Sequence, residues 1–265
     1  MFHKLRIVNF LITTIQSDLI WEDKSSNIAF LEKLFKEVNK DSKLIILPEM
    51  FTTGFSMNPE TFAEKMNGNG VDWLKKQANR LDKYICGSLI IEEKGFFYNR
   101  LIVVSPDRKI KTYDKKHLFR YSDEHKNYSS GSSELIINIE GVKIAFYVCY
   151  DLRFPVWSRN NKLKYDVAVY IANWPENRRD HWTALLKARA IENQAYVVGV
   201  NRIGKDGNGI SHSGDSAVYN AIGTKISSTQ PYESKVENVQ LNIKELNDYR
   251  AKFPAYLDAD EFKLL

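Results

Sequence analysis

The chain has 265 residues, 43% hydrophobic and 27% charged, which excludes disordered, collagen-like and coiled-coil classes. At this length one domain, residues 1–265, can bury roughly three-quarters of its unfolded surface without a metal or disulfide staple. The 38 basic and 33 acidic residues leave a net charge of +5, too mild to argue for nucleic acid or an anionic membrane.

The N-terminal apolar segment Leu5 to Ile20 is interrupted by Asn9, Gln16 and Ser17, and Trp21-Glu22-Asp23-Lys24 follows. It is too polar for a membrane span and lacks a cleavage-site pattern, so a soluble cytoplasmic protein is the expectation. Leu5 to Ile15 reads as a β-segment. Ile28, Leu31, Phe35 and Val38 then recur at helical spacing, after the cap-like Ser25 and Ser26. Lys43 to Leu47 is a short apolar run halted by Pro48.

Val71, Leu74, Ala78 and Leu81 predict a second amphipathic helix. Strands are expected over Ile85 to Ile91, Phe96 to Val104, Lys109 to Tyr113, Glu134 to Ile139 and Val142 to Val148, the last two joined by a Glu140-Gly141 turn. A helix is predicted from Pro155, a strand over Asp166 to Ala172, a long helix over Trp182 to Asn193, and a strand over Ala195 to Asn201. Short antiparallel strands fill Gly214 to Asn242, with turns at Asn220 to Gly223 and Gln230-Pro231. A charged, aromatic tail, Lys244 to Leu265, closes the chain. This alternation predicts an α/β layered protein with a mixed sheet.

Two cysteines, Cys86 and Cys149, make neither a disulfide framework nor a zinc spacing. Cys86 sits inside an apolar strand and reads as core. Cys149 ends the run Val142 to Val148, where a side chain is presented at a sheet edge and backbone N–H groups can meet a developing anion. On the cysteine alone, the reading as a small buried hydrophobe is the favoured one.

A cysteine nucleophile needs a base. His3, His117, His125, His181 and His212 carry no local signature for that role, and His181 and His212 show no metal-ligand spacing. Glu49 ends the strand Leu44 to Pro48, where apolar burial would make it a stronger base; a strand-end surface residue is the bland alternative. Lys115 and Lys116 alone read as a solvated loop. Gly204 to Gly209 matches no phosphate-loop pattern and reads as a hairpin.

In this order, Leu47-Pro48-Glu49-Met50-Phe51, Tyr113-x-Lys115-x-His117-Leu118-Phe119 and Cys149-Tyr150-Asp151-Leu152-Arg153-Phe154-Pro155 resemble the three motifs of the nitrilase superfamily of carbon–nitrogen hydrolases. The likeness continues through Ala172 to Pro175, Lys187 to Asn193 and Gly214 to Ser216, and among its branches the segments look most like the omega-amidases. The resemblance implies a Glu–Lys–Cys triad of Glu49, Lys115 and Cys149, with Glu124 as the second glutamate. It implies a four-layer αββα sandwich with mixed sheets, a homodimer built partly through the helices after the nucleophile, and no cofactor or metal. Tyr150 would supply an oxyanion N–H, and Trp174 is a candidate to wall the pocket, a core position being the alternative. Arg178, Arg179 and Arg153 are candidates for the carboxylate of a 2-oxo acid amide substrate, because arginine pairs bidentately; acidic pairing of Arg153 is the structural alternative. A nitrile or N-carbamoyl amide substrate, or a silent binding protein on the same fold, remain rival expectations.

Overall fold

The computed structural model describes residues 9–263, so the start of the expected Leu5 to Ile15 segment lies outside the described residues. The chain order begins with β1 (Asn9–Gln16), α1 (Lys24–Leu34), β2 (Leu44–Ile46), α2 (Pro59–Phe62), α3 (Asn69–Leu81), β3 (Tyr84–Glu93), β4 (Phe96–Val104) and β5 (Ile110–Asp114). It continues with α4 (Glu124–Asn127), β6 (Ile136–Ile139), β7 (Val142–Val148), β8 (Val167–Ala172), α5 (Arg179–Asn193) and β9 (Tyr196–Asn201). The last elements are β10 (Ile203–Lys205), β11 (Ser211–Ser213), β12 (Ala217–Tyr219), β13 (Lys235–Asn242) and α6 (Ile243–Lys252).

Two mixed sheets form the body. The first runs β13-β1-β2-β3-β4-β5, with β1, β2 and β3 mutually parallel in sequence of neighbours. The second runs β12-β9-β8-β7-β6, with β7, β8 and β9 parallel. β10 and β11 form a separate hairpin.

Period-two alternation explains the layering, because successive strand side chains point to opposite faces. Ile12, Leu44, Ile46, Cys86 and Leu101 join the core between the sheets. Ile15, Ile45, Ile85, Leu89 and Ile102 instead pack with Leu31, Phe35, Trp73 and Leu74 of the α1 and α3 side. On the far side, α5 lies close on β9. A Cβ on Gly199 would run into the Leu186 and Trp182 side chains of α5, so glycine lets the helix lie this close. Helix, sheet, sheet, helix is the expected four-layer αββα sandwich.

Four local expectations are corrected. Asp23, rather than Ser25 or Ser26, caps α1, its carboxylate accepting the Ser26 N–H at 3.0 Å. The helical spacing through Phe35 and Val38 ends earlier as α-helix, Phe35–Glu37 forming a tighter turn. No helix starts at Pro155: the chain coils once over Cys149–Arg153 and leaves the coil at Phe154, whose backbone (φ −114°, ψ 85°) is not helical. A proline disfavours helical geometry in the residue before it. The terminal tail begins as α6, capped by Asn242 and tied to its own chain by the ion pair Arg250–Asp166 at 2.7 Å.

Candidate active site

Glu49 follows the C-terminal end of β2 and Lys115 the end of β5, whereas Cys149 and Asn173 follow β7 and β8 of the other sheet. The site therefore straddles the seam between the sheets, at the carboxyl ends of parallel strands. Sharp backbone reversals present the side chains. Met50, next to Glu49, has φ 44°, and Cys149 itself has φ 45°. A non-glycine residue held there costs about 1–3 kcal/mol, which the surrounding contacts must offset.

The contacts holding Cys149 come from Asp151, fully buried two residues on. Its Oδ2 accepts the Val148 N–H at 2.9 Å and the Tyr113 hydroxyl at 2.7 Å, and its Oδ1 accepts the His117 N–H at 3.0 Å. Tyr113 and His117 bracket Lys115, so one carboxylate locks the lysine segment to the cysteine turn. His117 also stacks on Phe154, with ring centroids 3.8 Å apart.

Glu49, Lys115 and Glu124 are fully buried. Lys115 Nζ lies 3.0 Å from Glu49 Oε1 and 2.9 Å from Glu124 Oε2. Burial alone would lower the lysine's pKa, but the charges of Glu124 and Glu49 outweigh it and hold the ammonium above its ordinary range. Burial pushes the Glu124 carboxyl up, against the pull of Lys115. Glu124 Oε2 also accepts the Phe119 N–H at 2.6 Å. Burial, then the Glu49 charge, pushes the Cys149 thiol well above its ordinary value, so the resting sulfur is protonated and needs a base. That base is adjacent: the Glu49 carboxylate is the first among the charges that act on the thiol.

Cys149 opens on a cavity of about 730 Å³. Tyr150, Trp174, Arg178 and Arg153 all line it. Trp174 is both wall and core: it is 3% exposed and packs on Trp182 with centroids 5.4 Å apart. Arg153 lies over the Trp174 ring at 4.8 Å and meets His181 Nδ1 at 3.0 Å; no carboxylate is within ion-pair distance of it among the described residues. Arg178 lies over Phe119 at 5.4 Å. Arg179 is a correction. It is ion-paired to Asp215 at 2.6 Å and is not a lining residue, because the first turn of α5 carries it away from the cavity. Lys116 lies over the Trp157 ring at 5.4 Å, away from the carboxylates that hold Lys115.

Sequence reasoning missed Asn99 and gave Asn173 no role. Asn99 Nδ2 donates to Glu49 Oε1 at 2.7 Å and to Glu124 Oε1 at 3.2 Å. A polar amide in the middle of the otherwise apolar-rich strand Phe96–Val104 was the available signal, since asparagine is depleted in strands. The walls given by Trp21, Glu22 and the hairpin residues Asp206 and His212 carried no local signal at all. Among the described residues no group of three His, Cys, Asp or Glu side chains could hold a metal ion, and no helix is long and apolar enough to cross a membrane.

Residues 11–251 match the family model described as carbon-nitrogen hydrolase. The chain is 43% identical over 254 residues to a protein named omega-amidase YafV from Escherichia coli, covering 96% of this chain and 98% of that one. It is 31% identical over 255 residues to a 2-oxoglutaramate amidase from Bacillus subtilis, covering 95% and 98%. A solved CN-hydrolase superfamily protein from Xanthomonas campestris, with an arsenic adduct in its active site, superposes with a TM-score of 0.95. It is 38% identical and covers 98% of this chain and 100% of its own.

Proposed function

The chain belongs to the carbon–nitrogen hydrolase family, and from that premise we propose that it is an omega-amidase working through Cys149. It hydrolyses the terminal amide of 2-oxo dicarboxylic acid monoamides, 2-oxoglutaramate or 2-oxosuccinamate, to the 2-oxo acid and ammonia. The single observation that carries the mechanism is the buried Lys115 side chain between Glu49 and Glu124, behind a cysteine that lines the cavity.

Glu49 takes the thiol proton as Cys149 Sγ attacks the amide carbon. Lys115 Nζ, with a third N–H beyond those its two carboxylates accept, meets the tetrahedral oxyanion together with the Tyr150 N–H. Removing one such donor costs about 3–4 kcal/mol of transition-state stabilisation. Glu49 returns the proton to the nitrogen, ammonia departs, and a thioester remains on Cys149. Water then loses a proton to Glu49, attacks the thioester carbon, and the thiol leaves with that proton. Glu124 keeps Lys115 charged and aimed. No step calls on a metal or an organic cofactor.

Arg153 and Arg178 hold the far carboxylate, since both guanidinium groups border the cavity and neither has a carboxylate partner among the described ion pairs. Trp174 and Tyr150 flank the carbon chain between. In this reading the protein works in the cytoplasm as a homodimer. The exposed apolar Ile191 of α5, with Phe253 and Leu257 after α6, supports a subunit contact there.

Ammonia release from 2-oxoglutaramate, glutamine, a simple aliphatic nitrile and N-carbamoyl amino acids tests the reading. Strong preference for the oxo-acid amide, lost in Cys149→Ala, is expected. Preference for the nitrile or the carbamoyl compound would move the chain to another branch of its family. Unchanged release in Cys149→Ala would remove the nucleophile.

A further inference from the structure

The buried cluster holds two carboxylates and one ammonium, more acidic than basic groups on fully buried side chains. Uncompensated, such a pair would share a proton rather than both ionise. One further buried side chain touches both carboxylates. Asn99, fully buried in β4, places Nδ2 at 2.7 Å from Glu49 Oε1 and 3.2 Å from Glu124 Oε1. Its main-chain carbonyl also accepts the Lys115 N–H at 3.0 Å. The orientation of the amide is fixed by chemistry, because turning Oδ1 toward two ionised carboxylates would set acceptor against acceptor. Asn99 Oδ1 is left buried without a partner, a cost tolerated only where Nδ2 is needed.

We propose that Asn99 is a positioning residue, a neutral double donor that ties Glu49 to Glu124 around Lys115 and aims Glu49 at Cys149. It never touches substrate. Its effect reaches the reaction through Glu49, which Lys115, Glu124, Cys149 and Tyr128 also face. Assigning Glu49 as the base rests on the amidase reading above, so the test includes a readout that needs no amide substrate.

Asn99→Ala and Asn99→Asp are compared with the wild-type chain by the pH dependence of kcat/KM on 2-oxoglutaramate and of Cys149 alkylation by iodoacetamide. Asn99→Ala lowers kcat at least about tenfold with little change in KM, and moves the acid limb of both profiles up by about one pH unit, because a donor to the ionised form is gone. Asn99→Asp keeps the shape but must hold a proton to donate. It therefore gains a new alkaline limb, losing activity as that proton leaves.

Wild-type pH profiles in both folded variants, or identical profiles in the two, would overturn the proposal. Failure of Asn99→Ala to fold leaves the decision to the near-isosteric Asn99→Asp. Failure of both to fold also overturns it, since the role would then be structural. If the wild-type chain leaves 2-oxoglutaramate intact while the alkylation limbs shift as expected, the substrate reading fails and the positioning role stands.

Discussion

Asn173 and Glu49 are joined twice across the seam of the two sheets. The Asn173 N–H donates to Glu49 Oε2 at 2.7 Å, and Asn173 Nδ2 donates to the Glu49 main-chain carbonyl at 2.6 Å. One bond orients the carboxylate and the other fixes the backbone that carries it. The position of the base relative to Cys149 thus depends on how β8 packs against β2.

Asn173→Ala keeps the first bond and removes the second, leaving a buried carbonyl unpaired. That costs about 1–3 kcal/mol of stability. It also lowers kcat roughly tenfold as Glu49 loosens, since small displacements of a catalytic group are expensive. Urea unfolding and steady-state kinetics check the two effects; a loss of stability with unchanged kcat would show that Asn173 serves the fold only.

Lys115→Met removes the one cation between two buried carboxylates. Turnover falls by at least about a thousandfold, as an oxyanion donor and the charge balance go together. Breaking a buried ion pair by removing one partner also costs about 3–5 kcal/mol. Lower pH recovers part of that stability, because protonating Glu124 relieves the repulsion. Denaturant midpoints measured across the acid range read this recovery, and a pH-independent midpoint would contradict it.

Arg153→Met and Arg178→Met each raise KM for 2-oxoglutaramate by about 10–100-fold, the worth of a charged hydrogen bond to a carboxylate. Hydrolysis of an uncharged primary amide of similar length is unaffected. Arg179→Met serves as the control, because its guanidinium is committed to Asp215. An equal effect of all three on charged and uncharged amides would mean general damage to the pocket.

His212 lines the cavity at 3% exposure, and burial, reinforced by the Arg202 charge, lowers its pKa to about 4. The neutral ring is favoured in the fold, so the unfolded chain binds more protons between the ordinary value of 6.5 and about 4. This contribution to stability is complete above that window and declines as pH falls through it, by on the order of 3 kcal/mol in all. His212→Gln flattens that slope. The same acid dependence in wild type and variant would assign it to other groups.

Much of the architecture was written in local pattern. Continuous apolar runs marked β3, β4, β7, β8 and β9, and the spacing of Val71, Leu74, Ala78 and Leu81 marked α3. Glu49 and Cys149 stood out because each follows such a run and carries chemistry, whereas Lys115 alone read as a loop residue and stood out only through the resemblance of its motif. Local pattern failed at Pro155, where the side chain of Asp151 and the proline rule ended the coil after one turn, and in the tail, where polar composition hid the buried stripe of Ile243 and Leu246 in α6. Charge alone could not sort the arginines either. Arg178 and Arg179 are neighbours in sequence, yet one borders the cavity and the other pairs with Asp215, 36 residues away.

The sequence by itself determined which residues could react; the tertiary structure decided which of them do so together. Asn99 meets Glu49 across 50 residues of chain and Asn173 meets it across 124. Strand periodicity and turn chemistry act over a few neighbouring residues, so they place each group at the end of its own element. Only the packing of two sheets face to face removes water from the seam, and only there do two carboxylates, one ammonium and a thiol acquire their mutual charge states.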